Sequence, residues 1–167
     1  SSSAGVILGA SLLGAPTSTT QVVASSVVGI GGGRRRWRHI HWAIVRQMVD
    51  AALAHWREPD QGVWEVRGEP QHFTSSKVMC WLTVTRALDV LALRGGPERG
   101  DWVELRDRIR ENVLAFGWND AAGAYSVAYG DEEIDASSLW IGLSGLLPDD
   151  DPRFLATVLK VEAELRS

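Results

Sequence analysis

The sequence predicts an all-α protein, an array of helix pairs preceded by a broken apolar helical hairpin. Three observations carry this. From Thr74 onward, apolar residues recur at i, i+3 and i+4 steps, and Gly or Pro stands where each run should stop. Strand-like alternation is confined to Gly62–Arg67 and Ala124–Tyr129. Residues 1–33 contain no charged side chain at all. Charge divides the chain near Met48: residues 1–48 hold five arginines and no acid, whereas residues 49–167 hold 12 Lys+Arg and 21 Asp+Glu. The net −4 is thus a sum of +5 and −9 from two unlike pieces, residues 1–48 and 49–167.

In the first piece, residues 5–33 would be long enough to span a bilayer, but Gly14-Ala15-Pro16 breaks the run and Pro16 would end a helix there. Two half-helices meeting at a polar turn remain, with Ser18, Thr19 and Thr20 at the N-terminus of the second. Unpaired N–H groups and a partial positive charge suit such a helix end to an anion such as phosphate, and broken helices of this kind occur in transporters. Arg34, Arg35, Arg36 and Arg38, with Trp37 and Trp42, fit a cytoplasmic membrane boundary.

In the second piece, a helix should end before Pro59. Thr74 and Ser75 can cap the next, which carries Val78, Leu82, Leu88 and Leu91 and ends at Gly95-Gly96. Asp101 can cap a third, with Trp102, Leu105, Ile109, Val113 and Phe116 on one stripe up to Gly117. A fourth is expected from about Asp135 to Leu147, stopped by Pro148. Asp151, with Pro152 at the first helical position, starts the last, whose face is Phe154, Val158, Val161 and Leu165.

The loop between the first two of these helices bears the candidate chemistry. Residues 56–70 place acids, arginines, Trp56 and Trp64 within one excursion on a helical scaffold, where sites tend to form. A carboxylic acid against an aromatic wall has its charged form disfavoured and can hold a proton for donation. Glu65 beside Trp64 fits that role, and Arg67 could hydrogen-bond sugar hydroxyls. Spacing alone is weak evidence for this, since a plain charged, tryptophan-bearing surface loop would read the same. The eight tryptophans likewise admit two readings, an aromatic-rich core or flat faces stacked on ligands.

Other chemistries are not supported. Cys80 stands alone, excluding an intrachain disulfide and a cysteine metal cluster, and reads as a buried helix residue in a reducing compartment. His39, His41, His55 and His72 show no metal-ligand spacing with acids, so neither metal nor cofactor is expected. Gly29, Gly31, Gly32 and Gly33 lack the following Lys-Ser/Thr of a P-loop. An acidic second piece argues against nucleic acid as a partner despite the arginines. Asp149-Asp150-Asp151 reads as a helix-cap turn rather than a calcium site. No basic n-region of a signal peptide precedes the first apolar run. A cytoplasmic location is expected, the alternative being membrane association through residues 1–48.

Two resemblances extend this reading. Pro16-Thr17-Ser18-Thr19-Thr20, the run from Val22 to Gly29 and the basic turn after it resemble the inorganic phosphate transporter family. The resemblance implies a Ser18-Thr19-Thr20 turn beside a phosphate and sodium path. The family's Asn-Asp signatures are absent, and a membrane helix from His41 would be interrupted by Arg46 and Asp50. Transport also needs many spans, so this piece is not expected to transport anything by itself.

Residues 56–81, including WREPDQGVWEVRG and EPQHFTSSKVMCW, closely resemble glycoside hydrolase family 15, the glucoamylase and bacterial trehalase-like family. The later run from Tyr129 to Leu165 resembles the same family, although Trp140 and Gly142 stand where it usually carries aliphatic residues. This resemblance implies a partial (α/α)6 toroid and inverting hydrolysis of an α-linked glucoside. It implies Glu65 as the general acid, with Trp64 and Arg67 shaping the sugar site. Inversion needs a second carboxylate about 6.5–9.5 Å away to activate water. The resemblance places that base beyond the position of Leu165, and neither Glu69 nor Asp135 matches its motif. The chain is therefore expected to be inactive alone, a hydrolase fragment or alternatively a non-catalytic fusion remnant, and the uncovered helix faces of an incomplete toroid to invite self-association.

Overall fold

Helical periodicity becomes packed helices from Trp42 onward. The computed structural model describes residues 42–64 and 68–166. The expected apolar hairpin, with Ser18, Thr19 and Thr20, lies outside the described residues. Helix α1 (Trp42–His55) buries Val45, Met48, Val49 and Ala52, a single stripe at helical spacing. It runs unbroken through Met48. Arg46 and Asp50, which would interrupt a membrane helix, both lie on its exposed side.

Helix α2 (Thr74–Leu93) is the centre of the molecule. It packs against α1 on one side and against α3 (Gly100–Phe116) on another, and every residue from Thr74 to Val84 is buried. A helix buried on all sides needs little amphipathic contrast, which explains its mixture of hydroxyl, sulfur and aliphatic side chains. The expected cap differs. Thr74 and Ser75 are already inside the helix, and the Thr74 N–H donates to the Val127 carbonyl at 2.9 Å, so a neighbouring segment rather than a side chain satisfies it. Asp101 is likewise not a cap: it sits in the first turn of α3, held by Arg99 at 2.9 and 2.7 Å.

After Gly117, strands β1 (Trp118–Asn119) and β2 (Ala124–Tyr125) pair antiparallel, Trp118 opposite Tyr125. The expected alternation at Ala124–Tyr129 thus yields only two strand residues, followed by a single bridge between Ala128 and Phe73. The helix expected over residues 135–147 is shorter and divided. A 3-10 turn (Ala136–Leu139) leads into the one-turn helix α4 (Trp140–Leu143), and Gly145 at φ 80° turns the chain away. Asp151 and Pro152 start α5 (Pro152–Leu165) as expected, Asp151 accepting from the Arg153 N–H at 2.9 Å.

The core is continuous across these elements and includes Val49, Trp56, Val78, Trp81, Trp102, Ile109, Tyr125, Ile141 and Leu147. Gly142 explains one departure from the family pattern: a Cβ there would meet the Phe154 ring at 2.3 Å, so the absent side chain lets α5 seat its aromatic residue. The tryptophans divide between core and surface. Trp56, Trp81 and Trp102 are buried, whereas Trp64 is 66% exposed. The described residues form an all-α arrangement consistent with part of a helical toroid, and none of their helices is long and apolar enough to cross a membrane.

Candidate active site

The loop between α1 and α2 is closed at its base by backbone hydrogen bonds. Asp60 N–H donates to the Gln71 carbonyl at 2.8 Å, and Gln71 N–H returns to the Asp60 carbonyl at 2.9 Å. Further out, Gln61 Nε2 donates to the Gly68 carbonyl at 3.2 Å. Gly62 makes the sharp departure at φ 69°, and a Cβ on it would lie 2.9 Å from the Phe73 ring, so both conformation and contact require glycine. The expected strand character at Gly62–Arg67 is a turn as far as Trp64. Glu65 and Arg67 lie outside the described residues.

Under the loop base sits a charged cluster that sequence reading did not single out. Asp60 Oδ1 accepts from the Gly62 N–H at 2.6 Å and from Ser76 Oγ at 2.8 Å. Lys77, only 2% exposed, donates from Nζ to the Glu58 carbonyl and lies 3.9 Å from Asp60 Oδ2. Burial pushes the Lys77 amine below the usual lysine range, and the neighbouring Asp60 charge acts in the opposite direction. No sequence signal marked Lys77, because it is not among the apolar residues of the expected stripe and packing on every side of the start of α2 buries it. His72, at the foot of the loop and stacked on Tyr129, is also pushed down, by desolvation and then by Lys77. Between the end of α1 and α2 lies a cavity of about 30 Å³ lined by Trp56, Asp60, Lys77 and Cys80 among others. That is far below the ~300 Å³ at which small-molecule sites begin, so a sugar ring does not fit inside it.

At the loop tip, Trp64 presents its ring to solvent, and its Nε1–H donates to Asp135 Oδ2 at 2.9 Å. The other Asp135 oxygen accepts from the Ser137 N–H at 2.7 Å, capping the 3-10 turn. Asp135, weighed in the sequence as a second carboxylate, therefore has both oxygens engaged. Glu69 is exposed on the outgoing limb of the loop. Among the described residues no group of His, Cys, Asp and Glu is placed to hold a metal ion.

The described helices thus raise a tryptophan-bearing loop, closed at its base, over the core. Comparison with known proteins identifies the family. The family profile of Glycosyl hydrolases family 15 matches residues 21–167, and the chain belongs to that family. It is similar to a trehalase of Mycobacterium tuberculosis, 46% identical over 125 residues, which cover 74% of this chain and 18% of that protein. The trehalase of Mycolicibacterium smegmatis is 46% identical over 125 residues, covering 74% and 19%. That of Thermoplasma volcanium is 32% identical over 126 residues, covering 74% and 20%. This chain thus spans about a fifth of the length of the curated relatives it matches. No solved structure matches it. The family match begins inside the segment read as transporter-like, and no match supports a phosphate transporter there.

Proposed function

We infer that this chain carries the acid side of an inverting α-glucoside hydrolase, with trehalose as the substrate its relatives point to. The observation that carries this is the WEVR run in the sequence directly after the Asp60–Gln71 pairing begins its loop, within a chain of family 15. In this reading Glu65 protonates the departing glycosidic oxygen while Trp64 and Arg67 shape the sugar site. A water activated by a second carboxylate attacks the anomeric carbon from the opposite face. In this reading the second carboxylate belongs to another part of the whole hydrolase, since neither Glu69 nor Asp135 matches its motif. The chain by itself accordingly releases no glucose.

A chimera tests this. The matched 125 residues replace their counterpart in the Mycobacterium tuberculosis trehalase. The chimera is expected to hydrolyse trehalose, and Glu65→Gln within it to lose at least ~10²-fold in kcat, the usual contribution of general acid catalysis. An active chimera indifferent to Glu65→Gln would overturn the assignment. So would glucose release by the 167-residue chain alone that Glu65→Gln abolishes, since the site would then be complete within it.

A second proposal concerns residues 1–48, favoured by the uncharged run ahead of the arginine cluster. Here the charge boundary near Met48 separates a phosphate-transporter-like, membrane-associating piece, with Ser18, Thr19 and Thr20 on the ion path, from the hydrolase piece. Co-sedimentation with anionic vesicles, with and without residues 1–40, tests it. Equal partition into the aqueous phase removes it.

A further inference from the structure

Trp64 is an exposed aromatic whose orientation the core does not set. At 66% exposure its ring has little packing to fix it, and the described backbone hydrogen bonds of its loop lie at the base, between Asp60 and Gln71. Among the described residues, one polar contact holds the ring across 71 residues of sequence, Nε1–H to Asp135 Oδ2 at 2.9 Å. The polarity of that contact is fixed, because an indole only donates and a carboxylate accepts. Asp135 is itself immobilised. Its second oxygen caps the 3-10 turn through Ser137 N–H, and that turn packs against both α5 and α2.

We propose that Asp135 is the positioning residue of the sugar loop, tethering the edge of the Trp64 ring so that its face is held as one wall of the sugar site. The tether itself needs only the contact described, whereas its use for a sugar rests on the hydrolase reading above. Stacking of a flat ring on a sugar depends on the angle of the ring. A free Trp64 would have to be ordered each time a sugar bound, and a tethered one is ordered beforehand. Asp135 thereby links the acid-bearing loop to a segment far along the chain, and the arrangement is built within this fifth of the hydrolase.

The test uses the 167-residue chain labelled with ¹⁵N-tryptophan. Trp64→Phe removes one indole N–H signal and so assigns it. Asp135→Ser keeps an acceptor for the Ser137 N–H, since serine is a good N-cap, but leaves none for Trp64. The Trp64 signal is expected to shift and its exchange with water to quicken at least about threefold, a modest figure because the contact is exposed. The other indole signals and the thermal midpoint should hold. Asp135→Asn, which keeps the size and cap of the native side chain, repeats the measurement if the serine variant folds poorly. A Trp64 signal unmoved in both variants overturns the tether. Trehalose titration separates the two inferences. Movement of the Trp64 signal in the native chain, weakened several-fold by Asp135→Ser, supports both. Release of the indole by Asp135→Ser, with trehalose affinity of the trehalase chimera unchanged by the same substitution, leaves the tether standing and removes the loop's sugar role.

Discussion

Cys80 lies on the buried side of α2 beside Lys77, and its thiol is pushed up from 9.0 to about 11, chiefly by desolvation. A thiol that resists ionisation in the fold is unreactive there, so thiol reagents should label it only on unfolding. The linkage has a definite sign. Between pH 9.0 and about 11 the unfolded thiol has lost its proton and the folded one has kept it. The folded state then binds more protons, so stability falls as pH rises through that window and is fully present below it. At ~1.4 kcal/mol for each tenfold, the loss is on the order of 2–3 kcal/mol. Lys77 acts oppositely: its folded affinity for a proton is lowered, so its cost is relieved as pH rises toward 10.5. The difference between the native chain and Cys80→Ala isolates the thiol. Urea unfolding from pH 8 to 11 should show the native chain losing stability relative to Cys80→Ala. Parallel curves would contradict the burial argument.

At the scale of elements, Thr157 joins α5 to the strand pair. It is fully buried, its Oγ1 donates to the Arg153 carbonyl at 2.8 Å, and it accepts from the Tyr125 N–H at 3.0 Å. Thr157→Val keeps the shape but leaves a buried backbone N–H without an acceptor, a loss of ~1–3 kcal/mol. Thr157→Ser retains the hydroxyl and should lose distinctly less, and equal losses in urea unfolding would show that packing alone matters there. Such cross-element contacts mark the boundary of what sequence discloses. Asp151-Pro152 was legible as a helix start because its chemistry is local, and the stops at Gly95 and Gly117 for the same reason. Thr74 and Ser75 have the right chemistry for a cap, yet Val127 supplies the partner instead. The 135–147 helix was overextended because the turn at Gly145 depends on one residue adopting φ 80°. The Trp64–Asp135 contact could not be read at all, since nothing in either residue specifies a partner 71 positions away. Lys77 misleads in the other direction, because a lysine suggests surface and only the fold buries it.

At the scale of the whole molecule, several large apolar side chains stand uncovered on the described helices. Helix α5 buries Thr157 and Val161, while Leu155 and Leu159, one turn apart, are 48% and 66% exposed. On α4, Leu143 is 70% exposed. Burying a leucine fully is worth ~1.5–3 kcal/mol, and a two-fold contact between copies would bury each residue of the α5 pair twice. Four partly covered leucines offset much of the entropy lost on association, which gives weak, concentration-dependent dimers rather than a permanent one. Leu155→Lys with Leu159→Lys should remove this, because lysine keeps the helix and its charge repels a second copy. Light scattering over a concentration series should show the native chain rising above the mass of one copy while the double variant does not. Far-ultraviolet dichroism should remain the same for both. A native chain that stays monomeric throughout would mean that the α5 leucines are tolerated in water, and the expectation of self-association would fail with them.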